Sequence, residues 1–243
     1  MVIDHAAVGL IEQSELASGV AWSLCGTAMR LMGRVAFPLF AFMIAEGAAH
    51  TRDRRWYALR LLLLAVISEI PFDLVAGGTW LFPADQNTVF TLLLGLLAVW
   101  AGDLICGTGS GVSYGNREKT GDGGRKAVGQ RRFPLEYERY IRVLAAVPFG
   151  LAAYCLKTDY GFMGVLLIVI LYTLRTEPQL RTAVCAVFLF CMYMDFYGAA
   201  ACVAIFLINR YNGEKGSGSG RIFYLFYPLH LLVIRGIKMA VGL

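Results

Sequence analysis

Charge is what this sequence has least of. Asp, Glu, Lys and Arg make up 16% of its 243 residues, whereas 58% are hydrophobic. Soluble domains carry about 25% charged and 45–50% apolar residues. A soluble chain this apolar would expose wide greasy patches and aggregate. That excludes a soluble enzyme as the default, and a disordered chain with it. Histidine is also scarce, with three in the chain. The six cysteines (Cys25, Cys106, Cys155, Cys185, Cys191 and Cys202) form no CxxC pair and no metal-ligand spacing. Most lie in apolar runs, where free Cys acts as a small hydrophobe. A disulfide-stapled secreted module is therefore excluded, and no metal is expected. No GxxxxGK[ST] loop is present, so the glycines do not read as a phosphate cradle. A charged n-region and an A-x-A cleavage site are both missing, so no cleavable leader is expected. No nucleic-acid partner is expected either.

What the chain has in abundance is apolar runs. About nine can be traced, near 1–12, 30–50, 57–77, 87–106, 140–156, 160–174, 182–196, 197–209 and 221–242. The expected fold is all-α: a polytopic helical bundle in a lipid bilayer, forming one domain over 1–243. A span needs roughly 20 residues, so the seventh and eighth runs must be tilted, interrupted or re-entrant. Asp195-Phe196-Tyr197-Gly198 reads as a tight turn between them. With the N-terminus in the cytoplasm, 17 of the 22 Lys and Arg fall on that side. The opposite loops hold Lys157 and the acids Glu12, Glu15, Asp85 and Asp159. This positive-inside bias sets the N-terminus on the cytoplasmic side, and a multi-pass protein of the inner, cytoplasmic membrane is expected. The Gly-rich stretch 107–133 reads as a flexible cytoplasmic loop, and 213–220 as a shorter one.

An ionisable group inside a span costs roughly 2.5–3.5 kcal/mol on insertion scales, so each one needs a reason. Asp4 and His5 sit in the first run. Arg34 and Glu46 lie on the second, too far apart to pair. Glu69 and Asp73 share one face of the third at i and i+4. Arg34 and Asp73 fall at similar depth, and a buried Arg34–Asp73 pair is expected. Glu46 and His50 sit near the cytoplasmic edge, where solvated or headgroup roles fit. His230 lies midway along the last run and suits either a hydrogen-bonded core histidine or a functional one. Adjacent helical residues diverge by about 100°, so Asp4 is free to hold another helix rather than His5. Pro38, Pro71 and Pro228 fall inside runs and are expected to kink them. Kinks beside intramembrane charge point to a polar cavity.

Several motifs carry a resemblance. They are Ile3-Asp4-His5, the run Gly33-Arg34-Val35-Ala36-Phe37-Pro38-Leu39-Phe40-Ala41-Phe42, Glu46-Gly47, His50-Thr51-Arg52 and Ser68-Glu69-Ile70-Pro71-Phe72-Asp73-Leu74. Gln86-Asn87 with Phe90-Thr91, Asp159-Tyr160-Gly161 and Tyr227-Pro228-Leu229-His230 continue it in order. Together they resemble the TraX family. Members usually carry more apolar residues before the Ile-Asp-His run, and no function transfers to 107–133. The resemblance implies a multi-pass membrane acetyltransferase that acetylates the N-terminal amine of conjugative pilin subunits from acetyl-CoA. It also implies kinship with a wider group of transmembrane acyltransferases.

On that implication, His5 is the base that deprotonates an amine acceptor, and Asp4 or Glu69 orients its imidazole. Arg34 or Asn87 polarises the thioester carbonyl, and Asp73 and His230 complete the substrate-binding set. Arg52, Arg55, Arg139 and Arg142 are the candidate contacts to the acetyl-CoA phosphates, since CoA is a polyanion and this face is basic. Direct transfer and a transient acetyl-His are both open routes. Two other classes compete: a transporter, although the halves show no internal repeat, and a non-catalytic membrane component of a conjugation or secretion apparatus. The acceptor's identity and the oligomeric state are not specified by the sequence.

Overall fold

The structure is a computed structural model that describes residues 1–12, 19–108, 132–194, 196–214 and 220–241. Its regular elements are helices: α1 (Val2–Ala6), running on as a widened π-helical stretch (Ala7–Glu12), then α2 (Val20–Arg34), α3 (Ala36–His50), α4 (Arg54–Ala76) and α5 (Thr88–Cys106). After them come α6 (Leu135–Cys155), α7 (Gly161–Thr173), α8 (Pro178–Tyr193), α9 (Phe196–Asn209) and α10 (Gly220–Val241). Most of the expected loop 107–133 and the middle of 213–220 lie outside the described residues.

Local chemistry explains the boundaries. Asp53 caps α4, its Oδ1 accepting from the Arg55 and Trp56 amides at 3.0 and 3.2 Å. Asn87 caps α5 in the same way, accepting from Val89 N at 2.9 Å. The break at Val35 follows from Pro38. A proline ring displaces the carbonyl four residues back, here that of Arg34, and is then tolerated in the first turn of the new helix. Pro71 and Pro228, by contrast, sit inside helices that continue through them.

Two sequence expectations need correction. The second run begins at residue 20 rather than 30: α2 and α3 together form a 31-residue stretch, Val20–His50. Its early hydroxyl is satisfied within the helix, Thr27 Oγ1 donating to Ser23 O at 3.0 Å. The turn between α8 and α9 falls at Met194 (φ 55°), and Tyr197 and Gly198 belong to α9. Gly198 lets α9 cross α8 closely, for a Cβ there would lie 3.1 Å from Phe190 backbone atoms. Asp195 is outside the described residues.

The core is built around α5 and α7, with Phe37, Leu96, Val99, Val165, Leu167, Ile168 and Leu171 fully buried. α5 packs on α3, α4, α6 and α7, and α10 lies along α4. The outer faces are apolar too, with Leu63, Val66 and Ile67 of α4 and Leu144 and Leu151 of α6 exposed. Apolar residues on both faces of a helix are what a bilayer demands. Val20–His50, Thr88–Cys106 and Tyr224–Val241 are long and apolar enough to cross a membrane. The molecule is an all-α membrane bundle.

Candidate active site

α1 reaches into this bundle and meets α10. His5 Nδ1 lies 2.9 Å from His230 Nε2, with the rings stacked at 5.2 Å between centroids and 21° between planes. His230 Nδ1 lies 2.9 Å from the Phe226 carbonyl one turn earlier. That carbonyl can only accept, so a neutral His230 carries its proton on Nδ1 and presents a lone pair at Nε2. His5 must then donate from Nδ1, which leaves the lone pair of its imidazole on Nε2. Tyr227 and Phe72 stand edge-on around His5, at 6.1 and 6.4 Å between centroids. The residue that orients His5 is thus His230, and not Asp4 or Glu69.

Asp4 instead holds α2. Its Oδ1 accepts from Arg30 Nη1 at 2.9 Å, and Arg30 Nε also faces Glu12 Oε1 at 3.4 Å. Gly33 permits this approach, since a Cβ there would lie 2.4 Å from the Asp4 Cβ. Arg30 was missed in the sequence, although its i,i+4 spacing to Arg34 marks a shared helix face.

The expected Arg34–Asp73 pair does not form. The π-helical stretch packs between α2 and α4 and keeps them apart. Arg34 turns toward α8 and α9, its guanidinium 5.3 Å above the Tyr193 ring and 5.3 Å above that of Tyr197. Asp73 is buried, and its Oδ2 accepts from Phe82 N at 3.0 Å while Oδ1 has no partner. Glu69 Oε2 accepts from both the backbone and the side-chain nitrogen of Asn87. The Asn87 amide also donates to the Ala65 carbonyl at 2.8 Å. Asn87 is therefore consumed as a helix cap and a tie to α4, with its donors spent on protein.

Beside it, an isolated bridge joins Gln86 to Thr158, with Gln86 N donating to Lys157 O at 2.9 Å and Asp159 N to Gln86 O at 3.0 Å. This stitch places Asp159 where Thr88 Oγ1 donates to it at 2.5 Å. Asp159 keeps solvent access, yet protein surrounds it, and that enclosure raises its carboxyl above the ordinary range. Tyr160 next to it stacks on Phe37 at 3.6 Å. Motifs 70 residues apart in sequence meet here only through the fold, which is why spacing did not reveal their contact.

A second polar cluster lies at the opposite end of the bundle. Asp103 accepts from Arg54 Nη2 at 2.8 Å, Arg142 Nε at 3.0 Å and Tyr172 OH at 2.5 Å. Arg142 also faces Glu138 at 3.4 Å. Of the four arginines proposed for CoA, Arg142 is thus engaged in this buried network and Arg139 pairs with Glu177. Arg52 and Arg55 are exposed beside it.

Two cavities lie between that end and the histidines' neighbours. One of about 860 Å³ is lined by Glu46, His50, Arg210 and Tyr211 at the ends of α3 and α9. The other, about 220 Å³ and mostly apolar, runs between α3, α4, α5 and α10 to Met1 and Tyr227. Met43 lines both.

Buried polar groups threaded through an apolar helical bundle define a membrane protein with an internal polar site. The chain belongs to the TraX family, whose profile, described as TraX protein, matches residues 1–108 and 132–238. The unmatched segment coincides with the expected Gly-rich loop. The chain is similar to a protein of Dichelobacter nodosus described as probable fimbrial assembly protein FimC, serogroup H1. The two are 24% identical over 263 residues, covering 98% of this chain and 91% of the relative. No solved structure matches.

Proposed function

We propose that this protein is a membrane-embedded N-acetyltransferase that moves an acetyl group from acetyl-CoA to an amine acceptor. The observation that carries the reading is the His5–His230 pair, oriented within the bundle beside an apolar cavity whose wall includes Phe226 and Tyr227, and which shares Met43 with the wider one. The arginine-rich end faces the cytoplasm of the inner membrane by the positive-inside bias. The wide cavity, with Arg210 and His50 on its wall, suits the nucleotide end of CoA, and the narrow apolar one suits the pantetheine arm. Arg52 and Arg55 add to the field that draws in a polyanion.

The chemistry follows from the tautomers. The acceptor's neutral amine attacks the acetyl carbonyl carbon as His5 Nε2 takes the amine proton. The C–N bond forms, the C–S bond breaks, and the electron pair leaves on the CoA sulfur. His230, anchored to the Phe226 carbonyl, is a positioning residue: it keeps the His5 proton on Nδ1 and supports the imidazolium as it forms. The fimbrial-assembly name of the relative favours a pilus subunit as acceptor. The same name also supports a second reading, a non-catalytic assembly component.

The deciding test supplies acetyl-CoA and candidate amines to protein in lipid nanodiscs, following free CoA and acetylated product. His5→Ala is expected to lose about 10²–10⁴-fold in transfer while the protein still folds, its stability falling by no more than about 1–3 kcal/mol. His230→Gln retains an acceptor for the His5 proton and should recover part of what His230→Ala loses. No transfer by the wild-type protein to any amine would favour the assembly component.

A further inference from the structure

Arg34 is the cation of this site that has no counter-ion among the described residues. Asp4, the carboxylate across the α1–α2 contact, is taken by Arg30 at 2.9 Å. Among the described residues no carboxylate lies within ion-pair distance of Arg34, and its buried Nε has no hydrogen-bond partner. Tyr193 and Tyr197 cover the guanidinium at 5.3 Å each. Cation–π contacts of this kind hold the cation in place without neutralising it. The side-chain groups within hydrogen-bonding reach are the neutral phenols of Tyr160 and Tyr193, which leave the charge uncompensated, and the guanidinium fork matches a carboxylate in bidentate fashion.

Its position ties it to the histidines. Gly33 touches Asp4, so Arg34 and His5 are each one residue from the same α1–α2 contact. The two therefore flank one helix contact, close enough in the chain for a peptide acceptor held at His5 to extend toward Arg34. Asp159 and Tyr160 border the same region, and Arg34 lies in the field of Tyr160 and Tyr193.

We propose that Arg34 is the acceptor's anion anchor, and that the preferred acceptor is a peptide amine with a carboxylate a few bonds from the reacting nitrogen. This rests on the acetyltransferase reading for the reaction, though not for the binding. The alternative role, polarising the acetyl carbonyl, makes a different prediction.

The test uses two C-terminally amidated tripeptides with free N-termini, Ala-Glu-Ala and Ala-Gln-Ala, with transfer and equilibrium binding both measured in nanodiscs. Wild type is expected to favour the Glu peptide at least tenfold in kcat/KM and in affinity. Arg34→Gln should bring the Glu peptide down to the level of the Gln peptide, and Arg34→Lys should keep part of the preference. Equal losses for both peptides in Arg34→Gln, or no preference in wild type, would overturn the proposal. If transfer never occurs but binding shows the preference and its loss in Arg34→Gln, the anchor stands and the acetyltransferase reading falls. If transfer occurs without preference, the reverse holds.

Discussion

The two polar clusters of this bundle are built from the same residue types and are finished differently. Around Asp103, Arg54, Arg142 and Tyr172 arrive from three helices, and both carboxylate oxygens are taken. Around His5 and Arg34, by contrast, atoms are left over: Arg34 Nε, Glu69 Oε1 and Asp73 Oδ1 are all buried without a partner. An unsatisfied buried polar atom costs about 1–3 kcal/mol, and the Asp103 cluster holds one too, Arg54 Nη1. What separates the clusters is charge, since Arg54 and Arg142 are both neutralised by Asp103 while Arg34, Glu69 and Asp73 have no ion-pair partner among the described residues. The Asp103 cluster locks α4, α5, α6 and α7 together. The His5 cluster is the one to which the proposed chemistry is assigned.

The comparison can be broken by mutation, and the largest effect is expected at Asp103. Asp103→Ala strands two arginines in a buried site, a loss of about 3–5 kcal/mol. Thermal melts in detergent should fall sharply, while the surviving folded protein keeps its activity. A small stability change would mean the network is decorative. Next comes Gly33→Ala. A Cβ 2.4 Å from Asp4 forces α1 away from α2, costing about 1–3 kcal/mol. Transfer should fall further than stability does, because misplacing His5 by about 1 Å costs up to 10²-fold.

Glu69→Gln sharpens the contrast. It removes a carboxylate that has no cation partner while keeping an oxygen for Asn87, so stability should shift by no more than about 1 kcal/mol. A loss as large as that of Asp103→Ala would show that the two clusters are alike. The smallest effect belongs to Arg139→Ala. Its pair with Glu177 is exposed on both sides, and such pairs are worth about 0–1 kcal/mol. Melting and acetyl-CoA affinity should both stay near wild type, and a clear drop in affinity would return Arg139 to the donor site.

Much of this was legible along the chain. Composition alone demanded a bilayer, because 58% hydrophobic residues cannot be hidden in a core of this size. Most helices fall where apolar runs predicted them, and His5, Asp4, Arg34 and Glu69 were marked by the cost of placing charge in a span. Only the tertiary structure decided the partners. Hydrophobic periodicity reports which residues are apolar and how far apart they lie, but an ion pair between helices depends on which helix packs beside which. The sequence could not say that a π-helical stretch would separate Arg34 from Asp73, or that Arg30 would take Asp4. It could not say that His230, 225 residues away, would meet His5. The charges were written in the sequence because desolvation is local, and their pairings were not because packing is global.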